Sequence, residues 1–279
     1  MYVNKVDFTD PNAAKLFSDS LRDTGFAVIT HHPLDMNLIK AVYKEWEGFF
    51  NSDYKNNYIF DRKTHDGFFP ADISEKAKGY NELDLKEYYH YHAWAKLPKE
   101  LSNKTKELHT VMANLASLLL GWLEKMMPND IAVQLSGPLG DMITNCPKNL
   151  LRILHYPPLQ GSEVQGAIRA AAHEDINLIT LLPAATAAGL QVKDKLGNWH
   201  DVPGDPGSIV INSGDMLEEC TQGYYKATTH QVCNPLDASA NTSRYSMPFF
   251  LHPRDEVVLS PRHTAFSYWK ERMEELGVM

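Results

Sequence analysis

Cysteine is scarce in this chain. Cys146, Cys220 and Cys233 are its only thiols. An odd, widely spaced set of this kind excludes a disulfide framework and fits a reduced compartment. No apolar run approaches the length that spans a bilayer, so no membrane partner is expected. The opening Met1-Tyr2-Val3-Asn4-Lys5-Val6-Asp7-Phe8 lacks the basic region and apolar stretch of a secretory leader, and a cytoplasmic location is expected. Positive charge is also in deficit. Lysine and arginine number 27 against 35 aspartates and glutamates, a formal charge of -8, and no basic block occurs. Nucleic acid is therefore not an expected partner. Internal repeats and low-complexity tracts are absent as well. What remains is ordinary for a globular protein: 279 residues, 43% of them hydrophobic, enough for one large domain. Nothing in the composition fixes the oligomeric state.

The first half reads as mainly helical. Val6 to Phe8 suits a short strand. Asp10-Pro11 offers an N-cap followed by proline at the first helical turn, predicting a helix to about Asp23 that ends before Gly25. Phe26-Ala27-Val28-Ile29-Thr30 is a strand candidate. Asp35 caps a second predicted helix carrying Leu38, Val42, Trp46 and Phe49 at helical spacing. Residues 52 to 95 read as an irregular, aromatic-rich loop of the kind that covers a site. Leu101 to Met127 reads as a long helix stopped by Pro128, with Leu108, Met112, Leu115, Leu119 and Leu123 on its buried face.

From Leu150 the pattern changes to short apolar segments separated by turns. Strands are predicted at Leu151 to Tyr156, Ile176 to Leu182, Leu190 to Val192, Ser208 to Asn212, Ala227 to Cys233 and Tyr245 to Leu251. Asp194 to Asn198 reads as a hairpin turn, and Pro203 to Gly207 as another. Many short strands with such turns favour a sandwich or barrel. A last amphipathic helix is predicted from Ala265 to Leu276. We read 1–279 as one domain: a mainly helical support over 1–145, a β core over 146–262 and a terminal helix over 263–279.

The chemistry is concentrated in Ala171-Ala172-His173-Glu174-Asp175 and the distant His230. Residues two apart on a strand point to one side, so His173 and Asp175 can reach one ion while Glu174 points away. Two imidazoles and one carboxylate are the ligand set of a non-haem ferrous oxygenase, because they leave coordination positions open for other ligands. The same residues would also serve zinc in a hydrolase. Alternatively, His173 is a solvent-facing strand-end residue and His230 a buried, hydrogen-bonded one. A second signal follows 14 residues after His230: Arg244-Tyr245-Ser246. Its outer two side chains share a strand face and offer a planar fork and a hydroxyl to a carboxylate. A surface salt bridge is the competing explanation. Phe68, Phe69, Tyr88, Tyr89, Tyr91, Trp94 and Phe250 are candidate pocket or core aromatics. Arg169 is a candidate partner for an acidic substrate. Lys86 and Glu87 are read as a local ion pair, and His90, His92 and His155 as structural.

Taken in order, several short pieces resemble the isopenicillin N synthase-like family of iron(II)/2-oxoglutarate-dependent oxygenases. They are Leu21-Arg22-Asp23-Thr24-Gly25-Phe26, Asp84-Leu85-Lys86-Glu87, His155-Tyr156-Pro157-Pro158, Ala172-His173-Glu174-Asp175 and Gly189-Leu190-Gln191-Val192. Asn212-Ser213-Gly214-Asp215, the stretch from Thr221 to His230, and Arg244-Tyr245-Ser246-Met247-Pro248-Phe249-Phe250 follow. The resemblance implies a double-stranded β-helix, a cupin-like jelly roll with flanking helices. It implies Fe(II) on His173, Asp175 and His230. Arg244 and Ser246 then match the pair that binds the distal carboxylate of 2-oxoglutarate, and Tyr156 a residue of the same pocket. Three positions depart from the family pattern: Leu154 stands for a frequent asparagine, Gln231 for an arginine, and Glu174 for threonine or serine. The implied reaction is oxidation, most simply hydroxylation, of a small molecule with dioxygen, releasing succinate and CO2. Ascorbate is a possible auxiliary reductant. Cyclisation, desaturation and demethylation begin in the same way, and some relatives use no 2-oxoglutarate. A 2-oxoglutarate-independent oxidase, a zinc hydrolase and a non-catalytic β-sandwich binding protein remain the alternatives.

Overall fold

The computed structural model describes residues 3–73 and 83–275. Its strands are β1 (Lys5–Asp7), β2 (Phe26–Thr30), β3 (Gly67–Phe69), β4 (Glu87–Tyr91), β5 (Leu150–Tyr156), β6 (Ala170–His173), β7 (Ile179–Pro183), β8 (Leu190–Lys193), β9 (Trp199–Asp201), β10 (Ile209–Ser213), β11 (His230–Val232), β12 (Arg244–Ser246) and β13 (Phe249–Leu251). The α-helices are α1 (Ala13–Thr24), α2 (Met36–Phe50), α3 (Lys104–Met126), α4 (Asn129–Ala132), α5 (Leu139–Met142), α6 (Asp215–Cys220) and α7 (Ala265–Glu275).

From β5 onward the chain alternates between two sheets. β5, β7, β10, β12 and β13 enter a large sheet, while β6, β8, β9 and β11 form a four-stranded one. This is the double-stranded β-helix expected from the sequence, with helices on the outside. β1, β2, β3 and β4 extend the large sheet on both flanks, so the first half of the chain is built into the core sheet as well as over it.

The buried face of α3 packs on α1, α2, α5, β7 and β13. Leu108, Met112, Leu115, Leu119 and Leu123, the periodic residues of the sequence, are all buried there. Gly121 does not interrupt the helix. Asp35 caps α2, accepting the Asn37 backbone N–H at 2.8 Å.

Local signals failed at several boundaries. α1 starts after Asn12, not at Asp10-Pro11. Asp10 instead accepts the Asn12 N–H at 2.7 Å, an Asx-type turn that competes with capping. At the other end Gly25, at φ 70°, closes α1 by donating to the Leu21 carbonyl, the left-handed geometry that glycine adopts freely. The long helix begins at Lys104 rather than Leu101. The supposed loop 52 to 95 contains β3 and β4, paired to one another and, through β4, to β5. Part of that stretch, 74–82, lies outside the described residues, as does Leu276 at the predicted end of the last helix.

Candidate metal centre

His173 closes β6 and His230 opens β11, and the two are direct partners across that antiparallel pair. The ladder is irregular here: Ala170 to His173 on β6 faces His230 to Val232 on β11. A bulge of this kind bends a strand and re-aims its side chains. The predicted strand from Ile176 begins only at Ile179, so Asp175 lies in the link that crosses from the small sheet to the large one. Ala170-Ala171-Ala172 has weak strand preference and forms β6 only because β11 pairs with it.

The link nevertheless brings the three groups together. Asp175 Oδ1 is 3.7 Å from His173 Nε2 and 3.8 Å from His230 Nε2. One donor atom from each residue lies within 4.8 Å of the others, the only such cluster among the described residues. Glu174 turns outward and accepts a hydrogen bond from Thr229 Oγ1 at 2.8 Å.

Each donor is oriented from behind. His173 Nδ1 contacts the Ala171 carbonyl at 2.8 Å, and His230 Nδ1 contacts the Thr228 carbonyl at 3.1 Å. A carbonyl only accepts, so both Nδ1 atoms carry the proton and both Nε2 lone pairs face the centre. Asp175 Oδ2 accepts from Thr180 Oγ1 at 2.6 Å and Asn212 Nδ2 at 2.8 Å, leaving Oδ1 turned to the imidazoles. Desolvation opposes the Asp175 charge, but the two imidazoles and these hydrogen bonds outweigh it and hold the carboxyl below its ordinary range. Burial of the ring and the neighbouring His230 push His173 down to about 4, although 39% of its side chain opens to the site mouth. Two imidazoles and a carboxylate, already oriented, form a donor set that suits a ferrous ion.

Thr180 and Asn212 are functional candidates that sequence reasoning did not single out. Only the Asn212-Ser213-Gly214-Asp215 motif carried a hint. Gly214 belongs with them: a Cβ there would lie 2.3 Å from the Asn177 carbonyl oxygen and 2.8 Å from that of Asp175.

A second cluster sits where β12 pairs with β5. Arg244 and Ser246 on β12 are the register partners of Tyr156 and Leu154 on β5. The alternate Tyr245 faces the other way and stacks on His155, with centroids 4.7 Å apart. Arg244 is buried, its Nε donates to the Ala187 carbonyl at 3.0 Å, and its guanidinium lies 5.0 Å from the Tyr156 ring centroid. Its Nη1 has no acceptor among the described residues. This burial rules out the surface salt bridge considered from sequence.

Phe69 and Tyr88 stack at 4.6 Å and share an apolar cluster with Leu154, Tyr156, Ala170 and Val232. Phe250 is half-buried, opposite Thr180 across the β13–β7 ladder. Phe68, Tyr89 and Tyr91 pack in the main core instead, and Trp94 is exposed. Arg169 is buried, donating to the Thr242 carbonyl. The pairing of Lys86 with Glu87 is corrected. Lys86 binds Asp84 at 2.8 Å, whose other oxygen accepts the Ala171 N–H, while Glu87 binds Lys55 and His155. Neighbours on an extended chain face opposite sides, so the two could not meet. His155 is held between Glu87 and Ser243, and His92 bonds the Asn149 carbonyl. His90 bonds the His65 carbonyl and Arg152.

Residues 147–253 match the sequence profile of the 2OG-Fe(II) oxygenase superfamily, and residues 4–112 match the N-terminal profile of non-haem dioxygenases in morphine synthesis. Clavatol oxidase of Penicillium crustosum is 29% identical over 82% of this chain and 76% of its own length. A solved structure of a Shewanella oneidensis protein assigned as an oxygenase is 50% identical, covers 100% of both chains and superposes with a TM-score of 0.91. A full-length Neurospora crassa protein, solved in complex with alpha-KG, shares the fold with a TM-score of 0.80 at 21% identity, over 98% of this chain and 96% of its own.

Proposed function

We propose, from the premise that this chain belongs to the 2OG-Fe(II) oxygenase superfamily, that His173, Asp175 and His230 hold its ferrous ion and that Arg244, Ser246 and Tyr156 hold its 2-oxoglutarate. The chain is a non-haem iron(II) enzyme that oxidises a small molecule with dioxygen. That membership sets aside the hydrolase and binding-protein alternatives. The observation that carries the residue assignment is the convergence of two Nε2 atoms and Asp175 Oδ1, each fixed from behind by a hydrogen bond.

When bound, iron would activate dioxygen for attack on a substrate C–H bond, with 2-oxoglutarate as the co-reductant that is oxidised to succinate and CO2. The protein's residues position the reactants. Asp175, anchored by Thr180 and Asn212, partly neutralises the metal charge. Arg244 meets the distal carboxylate with a donor that has no partner among the described residues, and Ser246 adds a hydroxyl on the same strand face. That orphan donor suits a carboxylate, which 2-oxoglutarate supplies at its distal end. Phe69, Tyr88 and Phe250 form the apolar wall against which the primary substrate lies, excluding water. Hydroxylation is the simplest outcome, with ascorbate keeping the iron ferrous between turnovers. On this reading 146–262 carries the chemistry, and 1–145 and 263–279 brace it. No helix among the described residues is long and apolar enough to cross a membrane; we infer a cytoplasmic location and no nucleic-acid partner from the sequence.

Anaerobic titration with ferrous iron and then 2-oxoglutarate tests the reading. A visible metal-to-ligand charge-transfer band is expected in the parent and not in His173→Ala. Lack of the band in the parent, with no 2-oxoglutarate binding by calorimetry, sinks it.

A further inference from the structure

Arg169 lies outside the metal triad and outside the Arg244 and Ser246 pair. Like Arg244, it is only 2% exposed. Its Nη2 donates to the carbonyl of Thr242 at 2.8 Å, two residues before Arg244. Its backbone N–H donates to Asn234 Oδ1 at 3.1 Å. Both arginines are therefore tied to the approach to β12. Each keeps one buried guanidinium nitrogen without an acceptor: Nε of Arg169 and Nη1 of Arg244. Among the described residues, no carboxylate forms an ion pair with either. Burial and the nearby Arg244 charge both depress Arg169, so a second positive charge lies near it.

Such an arrangement is costly. A buried unmade hydrogen bond and a buried unpaired charge each oppose folding. A purely structural arginine is normally satisfied by carbonyls or a carboxylate. Here the open donors on both guanidinium groups ask for an anion with more than one oxygen. A carboxylate answers that demand, because its lone pairs match guanidinium forks.

We propose that Arg169 is a second arginine of the acid subsite and that Arg169 and Arg244 together hold the distal carboxylate of 2-oxoglutarate. This rests on the assignment of Arg244 as cosubstrate anchor. A keto acid without the second carboxylate would leave two buried charges unmatched. Selectivity for a dicarboxylate is therefore steeper than one arginine would give.

The experiment is calorimetry on Mn(II)-loaded protein. 2-Oxoglutarate is titrated beside 2-oxopentanoate, which keeps the keto-acid end and chain length but lacks the distal carboxylate. Arg169→Gln is expected to weaken 2-oxoglutarate by roughly ten- to hundredfold, the worth of a charged hydrogen bond, and to leave 2-oxopentanoate and Mn(II) affinity within about twofold. Arg169→Lys, which keeps the charge and loses the fork, is expected to recover part of the loss and serves alone if the glutamine variant does not fold. Equal weakening of both acids overturns the proposal in favour of a structural role. Unchanged 2-oxoglutarate affinity in Arg169→Gln, or in Arg169→Lys where only it folds, also overturns it. Arg244→Gln is run in parallel. A selective loss there with none at Arg169 sinks this proposal alone, and no loss at either position sinks the cosubstrate assignment beneath it.

Discussion

His173 and His230 stand directly opposite one another across the β6–β11 ladder, with ring centroids 4.4 Å apart. The pairing makes one backbone ladder responsible for both imidazoles. Asp175 then arrives from the link to β7, so the centre joins the two sheets.

Replacing either histidine by alanine is expected to abolish ferrous binding and to lower turnover below roughly 1% of the parent. Loss of a metal ligand must exceed the ten- to hundredfold cost typical of residues behind the ligands. Metal content after ferrous loading and desalting checks this. A variant that retains stoichiometric iron removes that histidine from the set.

Thr180→Val tests the support behind Asp175. It keeps the shape and deletes the 2.6 Å bond to Oδ2. Metal affinity is expected to fall by about ten- to hundredfold, with kcat largely recovered at saturating iron. A competition assay with a coloured chelator measures it, and unchanged affinity would mean that Asn212 alone suffices.

Arg244→Lys is expected to raise KM for 2-oxoglutarate roughly tenfold or more while kcat changes less, because an ammonium replaces a planar fork. Initial rates across 2-oxoglutarate concentrations give the split. A fall in kcat with constant KM would point to a role in the chemical step.

Acid should destabilise the metal-free protein through buried neutral histidines. Burial, with the nearby His92 charge, pushes His109 down to about 4 from an unfolded value of 6.5. Between those values the unfolded chain binds the proton and the folded chain does not. Stability is thus fully present above about pH 6.5 and falls as pH drops toward 4. His109 lies on α3, tilted against Phe249 with ring centroids 4.5 Å apart, and its share is on the order of 3 kcal/mol at most. Urea melts of the parent and His109→Gln at pH 7 and pH 5 should show a smaller pH effect in the variant. Equal effects would clear His109 of the role.

Much of this was legible in the sequence, for local reasons. The Phe26 to Thr30 strand, the Asp35 cap and the apolar face of α3 need no distant partner to be recognised. The donor types at His173, Asp175, His230, Arg244 and Ser246 were legible from chemistry and spacing. The true extent of β6 was not, because three alanines carry no strand signal and depend on β11. The strands hidden between residues 52 and 95 depend in the same way on β5. Thr180 and Asn212 escaped notice because their task exists only once β7 and β10 lie side by side.

Gly214 lends no donor atom to the cluster of His173, Asp175 and His230, yet the carbonyls of Asn177 and Asp175 occupy the space that a methyl group would need. Gly214→Ala should therefore cost activity well beyond the half to one kcal/mol of a routine glycine exchange, with lost metal affinity as its signature. In a saturation library, position 214 would score as intransigently as the ligands themselves. Such a survey would count among the essential positions one that has no side chain to contribute.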